Sequence, residues 1–226
     1  MKDKVMAPVP GPVTGPGTGS ALEAAGGRAN QKIRTRRAIV DACRELVRSG
    51  ADVTMPEVAR RALVSEATAY RYFPDLVSLL RETIDGLWPT PAEALQPVAA
   101  SRDPVERVGF ACDFLLRGVL SYQGAVRAMI SGTVTRPGLA RSRPGIRFGL
   151  IDYALAPFEH APGLDLAQLK RDLAVAVSAE ALFTLTDLCG LSPDEAIASA
   201  VRMAASVTSA AFAKADAHDH EGFSTA

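Results

Sequence analysis

Apolar residues recur at intervals of three and four in the first helical segment of the chain. The members of this face are Ile39, Ala42, Cys43, Leu46 and Val47. This spacing is that of one side of an α-helix, and the pattern stops at Gly50, a residue type that commonly ends helices. The sequence therefore predicts an amphipathic helix that ends at Gly50.

Short helices with their own caps follow this first helix. Thr54 and Glu57 have the spacing of a capping box, which predicts a helix over residues 55–62. Ser65 can cap the next helix, and Pro74 ends it at residue 73 because proline disfavours helical geometry in the residue before it. Asp75 is expected to cap a fourth helix. Two short helices joined by a brief turn predict a helix-turn-helix over about residues 54–73.

Longer helical patterns, separated by Pro and Gly, fill the rest of the chain. The predicted helices cover residues 104–123, 125–130, 146–160, 165–189 and 192–215. No run shows sustained apolar alternation between hairpin turns, so the fold class is predicted to be all-α. The expected organisation is a flexible Pro/Gly-rich leader at 1–27, a head with the helix-turn-helix at 28–86, a helical body at 87–215, and a flexible tail at 216–226.

The third predicted helix, within "VSEATAYRYFPD", carries aromatic and charged side chains among small residues. Ala69 and Phe73, four residues apart, are expected to face the core. The other side offers hydroxyl, carboxylate and guanidinium groups, which suit the phosphates and base edges of a DNA major groove. The predicted DNA contacts on this helix are Ser65, Glu66, Ala67, Thr68, Tyr70, Arg71 and Tyr72.

Roles for these contacts follow from their chemistry. Tyr70 and Tyr72 suit phosphate oxygens, Arg71 suits a phosphate or a guanine edge, Glu66 suits cytosine N4, and small Ala67 leaves room for a thymine methyl. Thr54 begins the preceding helix and is expected to offer its N–H groups to a phosphate. Further phosphate or minor-groove contacts are predicted from an upstream basic segment, which contains Lys32, Arg34, Arg36 and Arg37. Packing of Tyr72 on the first helix, and a merely solvated basic segment, remain the alternatives.

Charge and cysteine content narrow the function classes. The whole chain has a formal net charge of zero, but residues 28–86 hold 11 Lys/Arg against 8 Asp/Glu, whereas residues 87–226 hold 12 against 15. The three cysteines lie far apart within apolar patterns and predict buried, reduced thiols. No metal site, catalytic cluster or cofactor is expected. No uncharged apolar run reaches the 18 or so residues of a membrane span, which predicts no membrane partner and a cytoplasmic location.

The block from Arg34 to Leu80 resembles the N-terminal domain of the TetR family of transcriptional regulators. The matching positions are Ile39, Ala42, Gly50, Thr54, Val58, Ala59, Ala62, Val64, Ser65, Thr68, Tyr70, Tyr72, Phe73 and Leu79. The resemblance implies a three-helix DNA-binding head, a helical body that senses a small molecule, and a homodimer. In that family Thr68, Tyr70 and Tyr72 would lie among the DNA contacts.

This sequence departs from the family pattern at four positions. Ala51 replaces the usual aromatic residue after the glycine, Leu63 stands where the turn often has Gly, and Ala69 replaces a common Leu. Leu76 stands where the family usually has a phosphate-binding Lys at the start of the fourth helix.

The last two predicted helices are expected to form a dimer interface. The first of them is apolar on more than one face, and the second is rich in Ala and Ser, which permits close helix approach. A homodimer through residues 165–189 and 192–215 is predicted, with a purely intramolecular core as the alternative. Glu180 and Asp187 share one face there and are expected either to be solvated or interfacial, or to meet a cationic ligand.

Bulky residues of the intervening helices are the candidates for a ligand pocket. They are Trp88, Phe110, Phe114, Met129, Phe148, Tyr153, Phe158 and Phe183. An arginine run, Arg136, Arg141, Arg143 and Arg147, is expected to be a solvated surface or to receive an acidic ligand.

The sequence thus favours a dimeric regulator, most simply a repressor, that binds double-stranded operator DNA and responds to an unknown small-molecule effector. One alternative is a helical ligand-binding or scaffold protein whose head no longer binds DNA specifically, for which Leu76 is the main support. An all-α enzyme is disfavoured because no His/Cys/carboxylate cluster occurs at usable spacing.

Overall fold

The computed structural model describes residues 19–84 and 87–223. The chain divides after Ala38 into two compact units. Its α-helices are α1 (Gly19–Ser49), α2 (Met55–Arg61), α3 (Glu66–Tyr72), α4 (Leu76–Ile84), α5 (Pro91–Ala94), α6 (Pro104–Ser121), α7 (Gln123–Thr135), α8 (Ile146–Leu155), α9 (Leu166–Ala176), α10 (Ala179–Phe183) and α11 (Pro193–Phe223). The described residues contain no strand, so the all-α prediction is confirmed.

Local caps set the boundaries of the head helices. Gly50 ends α1 with a φ of 70°, a left-handed conformation that glycine adopts without steric cost. Thr54 caps α2 by accepting a hydrogen bond from the Glu57 backbone N–H at 3.4 Å. The Glu57 carboxylate does not complete the predicted capping box, because it pairs with Arg60 on the same helix.

The second helix of the predicted helix-turn-helix, α3, has the predicted limits. The Ser65 hydroxyl accepts from the Thr68 backbone N–H at 3.2 Å and starts the helix. Phe73 is extended, with φ −134° and ψ 104°, so the helix ends before Pro74 as predicted. Asp75 then caps α4 by accepting from the Ser78 backbone N–H at 2.7 Å.

Two hydrophobic clusters organise the chain from Ile39 onward. The head cluster is formed by α1, α2, α3 and α4 and also includes Ala125 and Met129 of α7. The body cluster is built on α6, which packs mainly against α11 and α8. Because α7 contributes to the head cluster, the core of the head includes part of a body helix.

A buried arginine ties the body helices together. Arg107 of α6 is 2% exposed, and its guanidinium donates to four backbone carbonyls. These belong to Ala154 at 2.7 Å, Val98 at 2.7 Å, Tyr153 at 2.9 Å and Ala99 at 3.1 Å. The carbonyls lie near the C-terminal ends of α8 and of the 3₁₀ turn Gln96–Val98, where helix carbonyls otherwise lack partners.

The predicted single helix over 165–189 is wrong, because the chain breaks between α9 and α10. Val177 leaves the helical region with ψ 67°, and Ser178 is extended. The buried Ser178 hydroxyl accepts from the Ala181 N–H at 2.9 Å and donates to the Val175 carbonyl at 2.7 Å. After α10 the chain makes one π-helical turn, Thr184–Leu188.

Cys189 also differs from prediction. Cys43 and Cys112 are buried as expected, whereas Cys189 is exposed. It caps the C-terminal end of the π turn, just before Gly190 reverses the chain with a φ of 68°. Ser192 and Glu195 form a capping box at the start of α11: the Ser192 N–H donates to the Glu195 carboxylate at 2.9 Å, and the Glu195 N–H donates to the Ser192 hydroxyl at 3.4 Å.

The end helices extend beyond the predicted domain limits. α1 begins at Gly19, inside the predicted leader, and α11 continues to Phe223, inside the predicted tail. Residues 1–18 and 224–226 of those two segments lie outside the described residues. Within α11, the stretch Pro193–Ala217 is long and apolar enough to cross a membrane, with a mean hydropathy of 1.4. Core helices of water-soluble proteins pass the same test, so a single helix of this kind carries no argument for a membrane span.

Candidate nucleic-acid interface and body cavity

The α3 helix presents one polar stripe and one buried stripe. Glu66, Ala67, Tyr70 and Arg71 are exposed, and their spacing of one and four residues places them on the same side. Ala69 is fully buried on the opposite side. No carboxylate within the described ranges forms an ion pair with Arg71. The helix therefore offers a carboxylate, a methyl, a phenol and a guanidinium on one open face.

The predicted inward residues have the expected burial. Ala69 and Phe73 are 0% and 2% exposed and belong to the same core cluster as Val58, Ala59 and Leu46. This packing fixes α3 against α1 and α2 and thereby holds its polar stripe outward.

Ser65, Thr68 and Tyr72 lie at the edges of the exposed stripe. Thr68 and Tyr72 are half-buried, and Tyr72 packs against the head cluster. The Ser65 hydroxyl is committed to the helix cap and donates to the Thr68 hydroxyl at 2.9 Å. The Arg71 guanidinium lies 5.7 Å from the centre of the Tyr72 ring, a cation–π distance. Both alternatives for Tyr72 are therefore compatible with its position, packing from one side and DNA contact from the other.

The other predicted DNA contacts lie outside α3. Thr54 is exposed at the start of α2. Arg34 and Arg36 are exposed on the part of α1 that precedes Ile39, in the first compact unit. Leu76, in place of the expected lysine, is half-buried and packs against the head cluster.

A cavity of about 90 Å³ lies where α4 meets the helices of the body, and is called the body cavity below. It is bordered by α4, α6, α7, the start of α8 and α10. Its walls are formed by Ile84, Trp88, Leu115, Val119, Tyr122, Val126, Met129, Arg143, Pro144, Ile146, Arg147, Ala179 and Glu180. Trp88 can reach this position because Gly118 faces its ring, where even a Cβ atom would lie 2.2 Å from Trp88 Cη2. The cavity is thus apolar except for a charged group at one side.

The predicted ligand residues are distributed over several places. Trp88 and Met129 line the cavity. Phe110 and Phe114 line a second hollow, of about 320 Å³, on another side of Trp88. Phe148 is 55% exposed. The remaining three are engaged elsewhere: Tyr153 lies near Arg107, Phe158 packs on Phe212 at 5.3 Å, and Phe183 lies under Arg127.

The charged side of the cavity is a three-residue ion cluster. Arg143 donates to Glu180 Oε1 at 2.7 Å, and Arg147 donates to Glu180 Oε2 at 3.3 Å. Arg147 also donates to the Ala174 carbonyl at 2.7 Å. Two guanidinium groups share one carboxylate, so the cluster has a formal charge of +1.

Burial and mutual charge shift the pKa values in this cluster. Burial would raise the pKa of Glu180, but hydrogen bonds from its own backbone N–H and from Arg143, with the charges of both arginines, hold it below its usual value. Burial lowers the pKa of Arg147, opposed by Glu180 and assisted by the charge of Arg143. The carboxylate is therefore ionised and fully engaged, whereas the guanidinium of Arg147 is poorly solvated.

Asp187, the second carboxylate predicted on this face, also has an arginine partner. Arg127 of α7 binds it with two hydrogen bonds, at 2.6 and 2.8 Å, and lies over the Phe183 ring at 3.8 Å. Hydrogen bonds from Arg127 and Thr186 lower the pKa of Asp187 to about 2. Because both carboxylates are paired with arginine, neither offers a free anionic site for a cationic ligand. Of the arginine run, Arg136 and Arg141 are exposed.

Other reactive side chains form no cluster in the described part of the chain. No group of three or more His, Cys, Asp or Glu is placed to hold a metal ion there. Burial raises the pKa of the Cys43 thiol to about 11 and that of Cys112 to about 12, which keeps both thiols protonated and unreactive at neutral pH. His160 is exposed.

Several cavity residues were not predicted from the sequence. Leu115, Val119 and Tyr122 recur at four and three residues along α6, a spacing that signals one helix face. That signal cannot separate a cavity wall from a solid core, because both are apolar stripes. The hydrogen bonds of the buried Arg107 were not predicted either, because its partners are backbone carbonyls.

Comparison with known proteins gives one family match and one structural likeness. Residues 39–83 match the family model described as "Bacterial regulatory proteins, tetR family". Among solved structures, the chain is similar to a TetR transcriptional regulator from Rhodococcus sp. RHA1, with a TM-score of 0.51 and 22% sequence identity over 78% of this chain and 97% of that chain. At this identity the likeness shows the fold alone. No curated protein sequence matches the chain at a significant level.

Proposed function

Because the chain belongs, through its residues 39–83, to the tetR family of bacterial regulatory proteins, we propose that it is a cytoplasmic repressor that binds a palindromic operator as a homodimer and responds to a small molecule. The family and its class, a DNA-binding transcriptional regulator, are the premise. What we propose is its repressor role, the symmetry of its operator, its dimeric state, its small-molecule effector and its lack of enzymatic activity.

The observation that carries the DNA-binding mode is the exposed stripe of α3. Glu66, Ala67, Tyr70 and Arg71 face outward together while Ala69 and Phe73 anchor the helix. We assign Tyr70 to a phosphate and Arg71 to a phosphate or a guanine edge. Weaker or positioning roles belong to the remaining proposed contacts, which are Thr54, Ser65, Thr68, Tyr72, Arg34 and Arg36.

DNA selected in vitro by the purified protein tests this assignment. The affinity of the selected duplex should fall with rising salt, because phosphate contacts release counterions. Tyr70→Ala together with Arg71→Ala should weaken binding at least about thirtyfold, because the loss of one good base or phosphate contact per residue costs about 1–3 kcal/mol each. Arg102→Ala, which removes one exposed arginine of the loop before α6, is the control and should leave the affinity unchanged.

A failed selection would favour the alternative function. If the protein enriches no sequence and the double substitution does not weaken binding, the head is a scaffold for a ligand-binding body. The apolar Leu76 at the start of α4 is the specific observation on that side.

The proposed dimer interface is the face formed by α9, α10 and α11. Val175 of α9 is 70% exposed and Met203 of α11 is 43% exposed, and both line one groove on this face, so it leaves large apolar side chains in water. Of the most apolar part of α11, only 28% is buried within a single copy of the chain. A second copy packed on this face would bury those side chains and align two α3 helices for successive major grooves, about 34–36 Å apart.

Sedimentation equilibrium tests the dimer. Val175→Glu combined with Met203→Glu should shift the protein to monomer, because two charges would be buried without partners at the interface. Val134→Glu is the matched control, since Val134 of α7 is 72% exposed but lies outside this face. A dimer that persists in the double variant would place the interface elsewhere.

The proposed effector site is the body cavity. Ile84 and Met129 line it and also belong to the head core cluster. A ligand that pushes on these side chains would act directly on α4 and α7, which hold the head. Only a ligand with different affinities for the two states of the dimer can shift DNA binding, so the proposal requires that the ligand-bound cavity disfavours the DNA-bound spacing.

A further inference from the structure

We propose that the body cavity binds an amphipathic monoanion, an apolar chain or ring that ends in one carboxylate, and that this carboxylate replaces Glu180 between Arg143 and Arg147. The inference rests on the proposed effector role of the cavity and names the chemical class of its ligand. Three observations support it: the positive charge on the cavity wall, the apolar side chains that form the rest of the wall, and a groove into which the Glu180 side chain can move.

The charge of the wall favours an anion. Arg143 and Arg147 converge on one carboxylate at 2.7 and 3.3 Å, which leaves an excess of one positive charge. Arginine forks bind carboxylates with directed, charge-assisted hydrogen bonds, so a second carboxylate is the group that this cluster accepts best. A cation entering the cavity would have to break both ion pairs of Glu180 and would then face two guanidinium groups.

The rest of the wall requires an apolar body on the ligand. Leu115, Val119 and Val126 add aliphatic side chains to the wall, and Trp88 adds an aromatic ring. The cavity volume of about 90 Å³ accommodates a short chain or a single ring rather than a polycyclic molecule. Inorganic anions would satisfy the arginines but leave these apolar walls without a partner.

Glu180 has an open position to move into. Its side chain is 41% exposed, and together with Arg147 it also lines a groove of about 500 Å³ on the outer face of α9, α10 and α11. A displaced Glu180 carboxylate would therefore enter this groove, which is open to water in a single protomer and belongs to the proposed dimer face, because Val175 and Met203 line it too. The exchange substitutes one carboxylate for another on the same arginines, so the main gain comes from burial of the apolar body.

A size-matched series of probes tests the charge preference on the full-length protein. Hexanoate, hexanamide and hexylammonium each contain six carbon atoms and differ in charge. Trp88 is the sole tryptophan and lines the cavity, so its fluorescence, excited at about 295 nm, reports occupancy. We expect hexanoate to bind at least about tenfold more tightly than hexanamide, as a charge-assisted hydrogen bond predicts, and hexylammonium to be the weakest. Equal affinities, tighter hexylammonium binding or no binding at all would overturn the proposal.

Variants of the ion cluster separate ligand binding from structural support. Arg147→Gln should weaken hexanoate binding about ten- to hundredfold, whereas Arg147→Lys should retain part of it. Glu180→Gln should tighten hexanoate binding several-fold, because the competing carboxylate is gone; a destabilised cavity could only weaken it. Arg141→Gln, an exposed arginine close by in the chain, is the control for net charge. Unchanged or weaker binding by Glu180→Gln would overturn the exchange.

Operator affinity in the presence of hexanoate distinguishes this inference from the proposed function. Charge-selective binding without any change in operator affinity supports the anion site and contradicts the ligand response. Intact operator binding with no hexanoate bound contradicts the anion site and leaves the DNA-binding function standing.

Discussion

Leu63, in the turn between α2 and α3, has a φ of 55°, and it is the only non-glycine residue with positive φ in the described part of the chain. Its side chain is 93% exposed, so no burial compensates for the left-handed backbone, which costs a residue with a Cβ atom about 1–2 kcal/mol. Leu63→Gly should raise the free energy of unfolding by about 1 kcal/mol, after the greater chain entropy of unfolded glycine is deducted. Urea denaturation measures the change.

The matched control at this position is Leu63→Ala, which removes the exposed side chain but keeps the Cβ atom. Its stability should stay close to that of the wild type. If the glycine and alanine variants are equally stable, the backbone strain at residue 63 does not contribute.

Arg107 illustrates a residue whose role is purely structural. Replacement by Leu keeps apolar volume but leaves the carbonyls of Val98, Tyr153 and Ala154 without their donors in the interior. Unsatisfied buried groups cost about 1–3 kcal/mol each, so Arg107→Leu should lower the free energy of unfolding by about 3 kcal/mol or more. Arg102→Leu, at an exposed position nearby, should change it by less than about 0.5 kcal/mol in urea denaturation. Similar losses in the free energy of unfolding in both variants would contradict a stabilising role for the four hydrogen bonds from Arg107 to backbone carbonyls.

At the scale of elements, the break before α10 depends on one buried hydroxyl. Ser178 is 2% exposed and satisfies the Ala181 N–H while donating to the Val175 carbonyl. Ser178→Ala should therefore lower the free energy of unfolding by about 1–2 kcal/mol. Ser209→Ala, on the exposed side of α11, should be neutral or slightly stabilising because alanine favours helix. Thermal unfolding compares the two, and equal effects would show that Ser178 is no cap.

The elements that the sequence predicted well are those fixed by nearby side chains. The limits of α3 follow from Ser65 and Pro74, and its inward residues follow from helical periodicity, because all these effects act within a few residues. The break at Val177 was not predictable in the same way. The stretch from Ala174 to Phe183 has no Gly or Pro, and Ser178 becomes a cap only because the surrounding helices bury it and turn the chain there.

The body cavity shows the same limit at a larger scale. Its lining comes from separate segments of the chain, so helical periodicity identified the apolar faces but could not show which of them leave a void. The predicted Trp88 and Met129 do line it, whereas Phe148 is exposed. The arginine run was identified from the sequence with two alternatives, and the pairing of Arg143 and Arg147 with Glu180 depends on the approach of α8 to α10, which only the tertiary structure defines.

At the scale of the whole molecule, ion pairs between distant segments make stability depend on pH. The Arg127–Asp187 pair joins residues 60 positions apart in the chain. The pKa of Asp187 is lowered from 3.8 to about 2 in the folded protein, so the folded state binds its proton less readily than the unfolded state does. The stabilisation is therefore present above pH 3.8 and is lost as the pH falls from there through about 2.

Comparison of the wild type with Asp187→Asn across pH isolates this contribution. Above pH 3.8 the wild type should be the more stable protein, and the difference in free energy of unfolding should shrink as the pH falls and vanish near pH 2. Asp52→Asn is the control, because the Asp52 carboxylate is exposed and makes no ion pair within the described ranges; its difference from the wild type should be small throughout. Urea denaturation at each pH gives both curves. An Asp187→Asn difference that stays constant down to pH 2 would mean that the ionised pair does not stabilise the fold, and that Arg127 is held in place by its contact with Phe183 instead.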